Sequence, residues 1–275
     1  MLTSKPRPVG FDADIRSAAL AERFAALLPA RPRLLAVGAR DGELIRWLAP
    51  RLRRAQVWQV ADLDVERIET AYAGIAQWAM SLGWTVTFPS RAMLVHTPHG
   101  AWRLEGVIAD IVDPVGLPPA DAVLCDALLH HVSTDWVAAL AETRRAPVLA
   151  TQIQTGQMQF MPPHPLDRAV CNAAWRALTA PAEFGPPLGA HALPVATRLF
   201  AAQGFKVSTA PSDWRVPRHA LAMTRALVAE TAALARETPA CAGRAAEWAK
   251  ARQRQALAGH LAFRLGQRDL LAEPR

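Results

Sequence analysis

The chain has 275 residues, of which 51% are apolar and 20% are charged, and this is enough sequence to bury one sizeable core. The composition excludes a disordered chain, a collagen and a coiled coil. Polar residues interrupt every apolar stretch before the length of about 18 residues that a membrane helix needs, and the N-terminal sequence has no signal-peptide pattern. We therefore expect a cytoplasmic protein without membrane contact.

Cysteine and arginine content bear on metal and nucleic-acid binding. Cys125, Cys171 and Cys241 are far apart and lack Cys-x-x-Cys spacing, which argues against a disulfide framework and a zinc site. The net charge of +7 would favour a phosphate-rich partner, but the excess of arginine and alanine resembles a compositional bias. We expect no metal and no nucleic acid.

The predicted elements alternate between strands and helices along the chain. Short apolar runs predict strands at 33–37, 56–61, 106–111, 121–125, 148–153 and from 204. Apolar residues at helical spacing predict helices at 11–29, 44–50, 65–82, 166–178, after Pro217, and at 244–257. Nearly continuous apolar strands separated by helices indicate an α/β fold with a parallel sheet covered on both faces.

Two segments depart from this alternation within what we interpret as one domain, residues 1–275. Residues 156–198 are rich in proline and glycine, and we predict that they form a lid over the sheet edge. Residues 217–258 are predicted to be a helical insertion. The final stretch, 260–271, is predicted to return as an antiparallel strand.

The most informative stretch is LLAVGARDGELIRWLA, residues 34–49. Gly38 at the end of the first strand lets a ligand approach the backbone, and the next helix offers its N-terminal N–H groups. Asp62 ends the second strand, where a carboxylate accepts hydrogen bonds from the hydroxyls of a ribose. The alternative is an ordinary strand-to-helix turn with an aspartate that caps a helix.

Together these motifs resemble the class I S-adenosylmethionine-dependent methyltransferases. The string LLAVGARDG has the register of the family's glycine-rich first motif, with Gly38 and Gly42 in place. Ala36 stands where the family usually has an acid, and Arg40 replaces the middle glycine. The segment DAVLCDALLHHVSTDW, residues 121–136, is similar to the family's fourth strand and the Leu-His-His that follows it.

The resemblance implies a fold, a cofactor and a reaction. The fold is a Rossmann-like, doubly wound, seven-stranded sheet with its last strand antiparallel and with helical lid insertions. The cofactor is S-adenosyl-L-methionine, and the partner is a small molecule that accepts the methyl group. The implied cofactor-binding residues are Gly38, Ala39, Gly42, Asp62, Leu63, Asp110, Ile111 and Asp126.

Catalysis of methyl transfer requires mainly that donor and acceptor are aligned in a site that excludes water. A general base is needed only for acceptors that must lose a proton, and Asp126 and His130 are the candidates. His131, Gln154 and His164 are candidate acceptor contacts. In the alternative interpretation the histidine pair packs against the sheet, and Asp126 binds the cofactor's ammonium group or caps a helix.

Two other functions stay open on the sequence. The positive charge leaves room for an RNA methyltransferase, whose affinity would fall steeply with salt. Ala36 and Arg40 leave room for a non-catalytic binding protein built on a degenerate methyltransferase fold.

Overall fold

A computed structural model describes residues 15–38, 40–90 and 92–275. Within these ranges one mixed sheet of ten strands is flanked by helices. The strands are β1 (Arg33–Val37), β2 (Gln56–Asp62), β3 (Thr85–Thr87), β4 (Ala92–Thr97), β5 (Gly100–Ile108), β6 (Ala122–Asp126), β7 (Val148–Met161), β8 (Lys206–Pro211), β9 (Trp214–Val216) and β10 (Ala262–Glu273).

The helices cover both faces of this sheet. They are α1 (Ala18–Ala26), α2 (Glu43–Leu52), α3 (Val65–Ser81), α4 (Thr134–Thr143), α5 (Asp167–Leu178), α6 (Ala192–Ala202), α7 (Leu221–Arg236) and α8 (Ala242–Leu257). One core cluster packs α1, α2 and α3 on one face, and a second packs α4 and α6 on the other. A third lies where α5, α7 and α8 meet the far halves of β7 and β10.

The strand order is β3-β4-β5-β2-β1-β6-β7-β10-β8, with β9 beside β10. From β5 to β7 the pairs are parallel, and β10 is antiparallel to both β7 and β8. This confirms the predicted α/β fold: a doubly wound seven-stranded sheet whose last strand is reversed. The apolar runs identified these strands because both of their faces are buried, as in β6, where every residue is buried.

Three strands extend the predicted seven-stranded sheet. The antiparallel pair β3 and β4 is added beside β5, and β9 lies beside β10. Strand β5 begins at Gly100 rather than at 106, because its first half alternates: Trp102 and Leu104 are buried, whereas Arg103 is exposed. A half-exposed strand of this kind gives no continuous apolar run.

The structure changes three predicted boundaries. Strand β7 continues to Met161, paired with β10, so residues 156–161 of the predicted lid lie in the sheet. The sequence motif Leu-His-His predicts that the histidine pair opens the next helix, but α4 begins only after Ser133, whose Oγ accepts a hydrogen bond from the Trp136 N–H at 3.2 Å. Helix α2 continues past its proline to the buried Leu52. The lid itself remains a prediction.

We expect Gly42→Ala to destabilise the chain. Gly42 has a φ of +73°, and a Cβ there would lie 2.6 Å from two side-chain atoms of Ile75. Left-handed strain and crowding together predict a loss of about 1 to 3 kcal/mol in the free energy of unfolding, measured by urea denaturation. The control is Gly243→Ala in α8, where nothing lies within 4 Å of an added Cβ. A loss no larger than that of the control would contradict the prediction.

Candidate functional site

The turn between β1 and α2 has left-handed backbone at both Gly38 and Gly42. Gly38 has a φ of +80°, and its N–H donates to the Ala61 carbonyl at 2.9 Å. Gly42 precedes α2 without a side-chain cap. Arg40 adopts a φ of +43°, a left-handed conformation that costs a residue with a side chain about 1 to 2 kcal/mol. The predicted contact Ala39 lies outside the described residues.

A cavity of about 250 Å³ opens beside this turn, at the carboxyl ends of β2 and β5. Its lining residues are Asp62, Leu63, Asp64, Arg67, Asp110, Ile111, Val112 and Glu183. The structure therefore brings together Asp62, Leu63, Asp110 and Ile111, which the resemblance placed around an adenosine. It also adds Glu183, an exposed residue of the predicted lid that carried no sequence signal.

Asp62 and Ile111 are held in place by their neighbours. Asp62 is 2% exposed, and its Oδ1 accepts the Asp64 N–H at 3.1 Å. The Ile111 carbonyl accepts a hydrogen bond from the Trp136 indole at 2.9 Å, which ties the loop after β5 to α4. The cavity thus has one rigid wall with a buried carboxylate.

A second cavity, of only about 10 Å³, lies directly under the glycine turn. Gly38, Arg40, Gly42, Glu43 and Asp126 are among its lining residues. The resemblance places the amino acid end of the cofactor here. As it stands, this space holds little more than one water molecule.

Arg16 lies against Asp126, one of the residues that line the second cavity. The Nη2 of Arg16 is 3.2 and 3.1 Å from the two carboxylate oxygens of Asp126 and 3.6 Å from Oε2 of Glu43. Arg16 is 4% exposed, and its guanidinium lies 5.8 Å from the ring centroid of Trp47. Sequence reasoning missed Arg16, since a single arginine before the first helix matches no motif.

Asp126 is an ion-paired carboxylate. Burial alone would raise its pKa, but the charges of Arg16 and Arg40 and a hydrogen bond from Thr151 hold the pKa below its ordinary value. The Thr151 Oγ1 to Asp126 Oδ1 distance is 2.6 Å. Asp126 is therefore ionised at neutral pH and is a weak proton acceptor.

The predicted residues His130 and His131 lie beside Gln154, the third predicted contact, which is part of β7. The rings of His130 and His131 are 4.2 Å apart between centroids, and the Gln154 N–H donates to His130 Nδ1 at 3.4 Å. Burial lowers the pKa of His130 well below its usual value and that of His131 to about 4. Both rings are therefore neutral at pH 7. Because Nδ1 of His130 is an acceptor, its proton is on Nε2.

His164 does not join this group. It follows the end of β7 at Met161, seven residues beyond Gln154 along the strand, a separation of roughly 20 Å. There its N–H donates to Asp167 Oδ2 at 2.8 Å. Asp167 in turn accepts hydrogen bonds from Trp248 Nε1 at 2.8 Å and Arg252 Nε at 3.2 Å. His164 thus belongs to the packing of α5 against α8.

Within the described residues, no helix is both long and apolar enough to cross a membrane.

Comparison with known proteins gives similarity to solved structures alone. No family model matches the chain, and no curated protein matches it significantly. The YcgJ protein of Bacillus subtilis is 15% identical, with a TM-score of 0.48, over 94% of this chain and 98% of that one. The strand order of the sheet identifies the fold independently of this similarity.

Two further solved structures are methyltransferases by their descriptions. An S-adenosylmethionine-dependent methyltransferase of Geobacter sulfurreducens, in complex with S-adenosyl-L-homocysteine, is 12% identical, with a TM-score of 0.45, over 96% and 93% of the two chains. One of Thiobacillus denitrificans, in complex with the same compound, is 14% identical, with a TM-score of 0.44, over 99% and 100%.

Proposed function

We propose that this chain is a class I methyltransferase that binds S-adenosylmethionine and transfers its methyl group to a small-molecule acceptor. The observation that carries the proposal is the buried Asp62 carboxylate in a cavity beside the glycine turn. This cavity lies at the carboxyl edge of the sheet, next to β1, from which the strand order runs in both directions. Ligands of open α/β sheets bind at such a switch point.

The residues present fit the adenosine part of this cofactor. Asp62 would accept hydrogen bonds from the ribose hydroxyls, and Asp110 and the backbone at Ile111 would contact the adenine. Glu183, which lines the same cavity, supports a lid role for its segment. The sulfonium of the bound cofactor supplies an already activated methyl group.

At the amino acid end, binding requires Arg16 to move from its place on Asp126. The cavity of about 10 Å³ leaves no room for this part, and Asp126 on its lining is ion-paired with Arg16. The N-terminal N–H groups of α2 and the guanidinium of Arg40 are the groups that would then face the carboxylate of the ligand. Asp126 would face its ammonium group.

For the transfer itself, the chain's residues orient the reactants and exclude water. Asp126 is ion-paired, so we assign it to binding. His130 presents Nε2–H, so we assign it the role of hydrogen-bond donor to the acceptor. We assign no residue as the base that deprotonates the acceptor, so the acceptor must be acidic enough to lose its proton unaided. The catalytic contribution of the site is then alignment.

The small volume of the second cavity also supports a second candidate function, a protein that binds adenosine-type ligands without methyl transfer. The test compares S-adenosylhomocysteine with adenosine by calorimetry on the full chain. A methyltransferase binds S-adenosylhomocysteine at least tenfold more tightly, because its amino acid part adds contacts. Equal affinities support the binding protein and contradict the methyltransferase.

We expect Asp62→Asn to weaken binding of S-adenosylhomocysteine. The substitution removes the charge that strengthens hydrogen bonds from the ribose hydroxyls while it preserves the shape of the side chain, so the dissociation constant should rise about 5- to 150-fold, which is about 1 to 3 kcal/mol. Titration calorimetry measures the change.

The control for this experiment is Glu69→Gln, which neutralises an exposed carboxylate of α3 outside the lining of the cavity. Its dissociation constant should stay within twofold of that of the unaltered chain. If the Asp62→Asn variant binds as tightly as this control, the ribose does not lie at Asp62, and the proposed cofactor site is contradicted.

A further inference from the structure

Three buried glutamines lie where β7 and β10 continue beyond the parallel strands. Gln152 and Gln267 are 0% exposed and Gln154 is 5% exposed. Both side-chain atoms of Gln152 and of Gln267 and the Oε1 of Gln154 have no hydrogen-bond partner among the described residues, and neither has Nε2 of the adjacent His130. Native proteins rarely bury polar atoms unpaired, so this concentration requires an explanation.

These amides do not hold the strands together, because the backbone is held by other groups. The Gln152 N–H donates to Asp269 Oδ1 at 2.9 Å, and the Gln267 N–H donates to Asp213 Oδ1 at 3.2 Å. The glutamine side chains are thus available for something else. Gln152 also has a φ of +55°, and strained backbone of this kind is concentrated at functional sites.

The strand register places Gln154 on the same face of the sheet as Asp126. Ala150 and Ile153 both pack into the cluster on the α4 side, although residues three apart in a regular strand face opposite ways. One extra residue, the left-handed Gln152, is therefore inserted as a bulge, at the irregularity in the pairing of β7 with β10. Gln154 then faces the same way as Thr151, which contacts Asp126.

Gln267 lies opposite Gln154 on the neighbouring strand, and paired residues in an antiparallel sheet share a face. Beside them the His130 ring stacks with Trp175, at 6.2 Å between centroids and 24° between planes. The group therefore combines amides with a stacked aromatic pair.

The carboxylates around the glutamines are already compensated. Asp126 is paired with Arg16, and Asp269 accepts the N–H groups of Ser17 and Gln152. A cationic ligand would therefore be buried here without a counter-charge, which is strongly unfavourable. The cation that acts on His130 is Arg40, and in the proposed function its guanidinium binds the carboxylate of the cofactor rather than the acceptor. A primary amide presents both a donor and an acceptor and complements a ligand that does the same.

We propose that Gln152, Gln154 and Gln267, with Nε2–H of His130, bind an uncharged planar acceptor of the amide or lactam class. The role of this ligand as methyl acceptor rests on the proposed methyl transfer, whereas binding of the amide does not. Amide binding is therefore measured in the absence of S-adenosylhomocysteine, and failure of one proposal is distinguishable from failure of the other.

The probes are benzamide and benzoate, which have the same size and ring and differ in charge. Ligand-observed NMR titration of the full chain should show that benzamide binds at least tenfold more tightly than benzoate. Gln154→Met and Gln267→Met should each weaken benzamide binding at least tenfold, because methionine keeps the length and removes the amide. The matched control is Gln159→Met, an exposed glutamine of the same strand, whose affinity should not change.

Absence of benzamide binding, equal affinity for benzoate, or variants that bind like the control would overturn the proposal. The thermal midpoint provides a second measurement that does not require a ligand. Replacing an unpartnered buried amide by methionine should keep or raise the midpoint. A lowered midpoint for both variants would show that the amides serve the fold and would equally overturn the proposal.

Discussion

Arg252→Met is expected to destabilise the chain by about 3 to 5 kcal/mol, the cost of leaving a partly buried charge without its partner. Arg252 is fully buried, its Nη1 donates to the Pro162 carbonyl and to Gln255 Oε1, both at 2.7 Å, and its other nitrogens contact Asp167. One side chain thus connects α8, α5 and the end of β7. Denaturation in urea measures the loss.

The control for this prediction is Arg225→Met in α7. Arg225 is exposed and hydrogen-bonded to Gln253, so its removal should change the stability by about 0.5 kcal/mol or less. A double-mutant cycle of Arg252→Met with Asp167→Asn isolates the pair. If both arginine variants lose the same amount, the buried cluster is not what joins these helices to the sheet.

The parts of the fold that could be predicted from sequence are those whose burial is uniform. The central strands β1, β2 and β6 are buried nearly throughout and have a polar residue at one or both ends, with one glutamine inside β2, so their positions follow from short apolar runs. Strand β4 has only four apolar residues before His96 and no helix between it and β5, so it does not stand out as part of the strand–helix alternation. Strand β3 and the first half of β5 have exposed residues at alternate positions, and their polar residues resemble a loop. The extension of β7 was hidden in the same way, since exposed Gln157 and Gln159 alternate with buried Met158 and Phe160.

At the site, the predictable residues are those that belong to one short sequence motif. Asp62 and Gly38 follow from the strand ends that they terminate, because parallel strands bring their carboxyl ends to one edge. Arg16 and Glu183 come from segments distant in sequence. Only the tertiary structure places Arg16 beside Asp126 and Glu183 on the lining of the larger cavity. His164 shows the opposite error. The sequence groups it with the site because it lies in the predicted lid, but β7 is longer than the sequence indicated, and His164 follows its far end.

Arg16→Met is expected to lower the free energy of unfolding by about 3 to 5 kcal/mol at pH 7.5, because Asp126 then stays buried with less compensation. The ion pair depresses the pKa of Asp126 in the folded chain. The pair therefore stabilises the fold above the pKa of an unfolded aspartate, about 3.9, and this contribution is lost as the pH falls through the folded value.

In the variant the pKa of Asp126 should rise instead, since burial then opposes ionisation and only Arg40 and Thr151 still favour it. Protonation of Asp126 relieves the uncompensated charge, so the stability difference from the unaltered chain should be smaller at pH 5 than at pH 7.5. Urea denaturation at both values measures this. The double variant Arg16→Met with Asp126→Asn should recover most of the loss and show little pH dependence. A difference that is the same at both pH values would mean that Arg16 acts by packing on Trp47, and that releasing Asp126 is not the step that opens this end of the site.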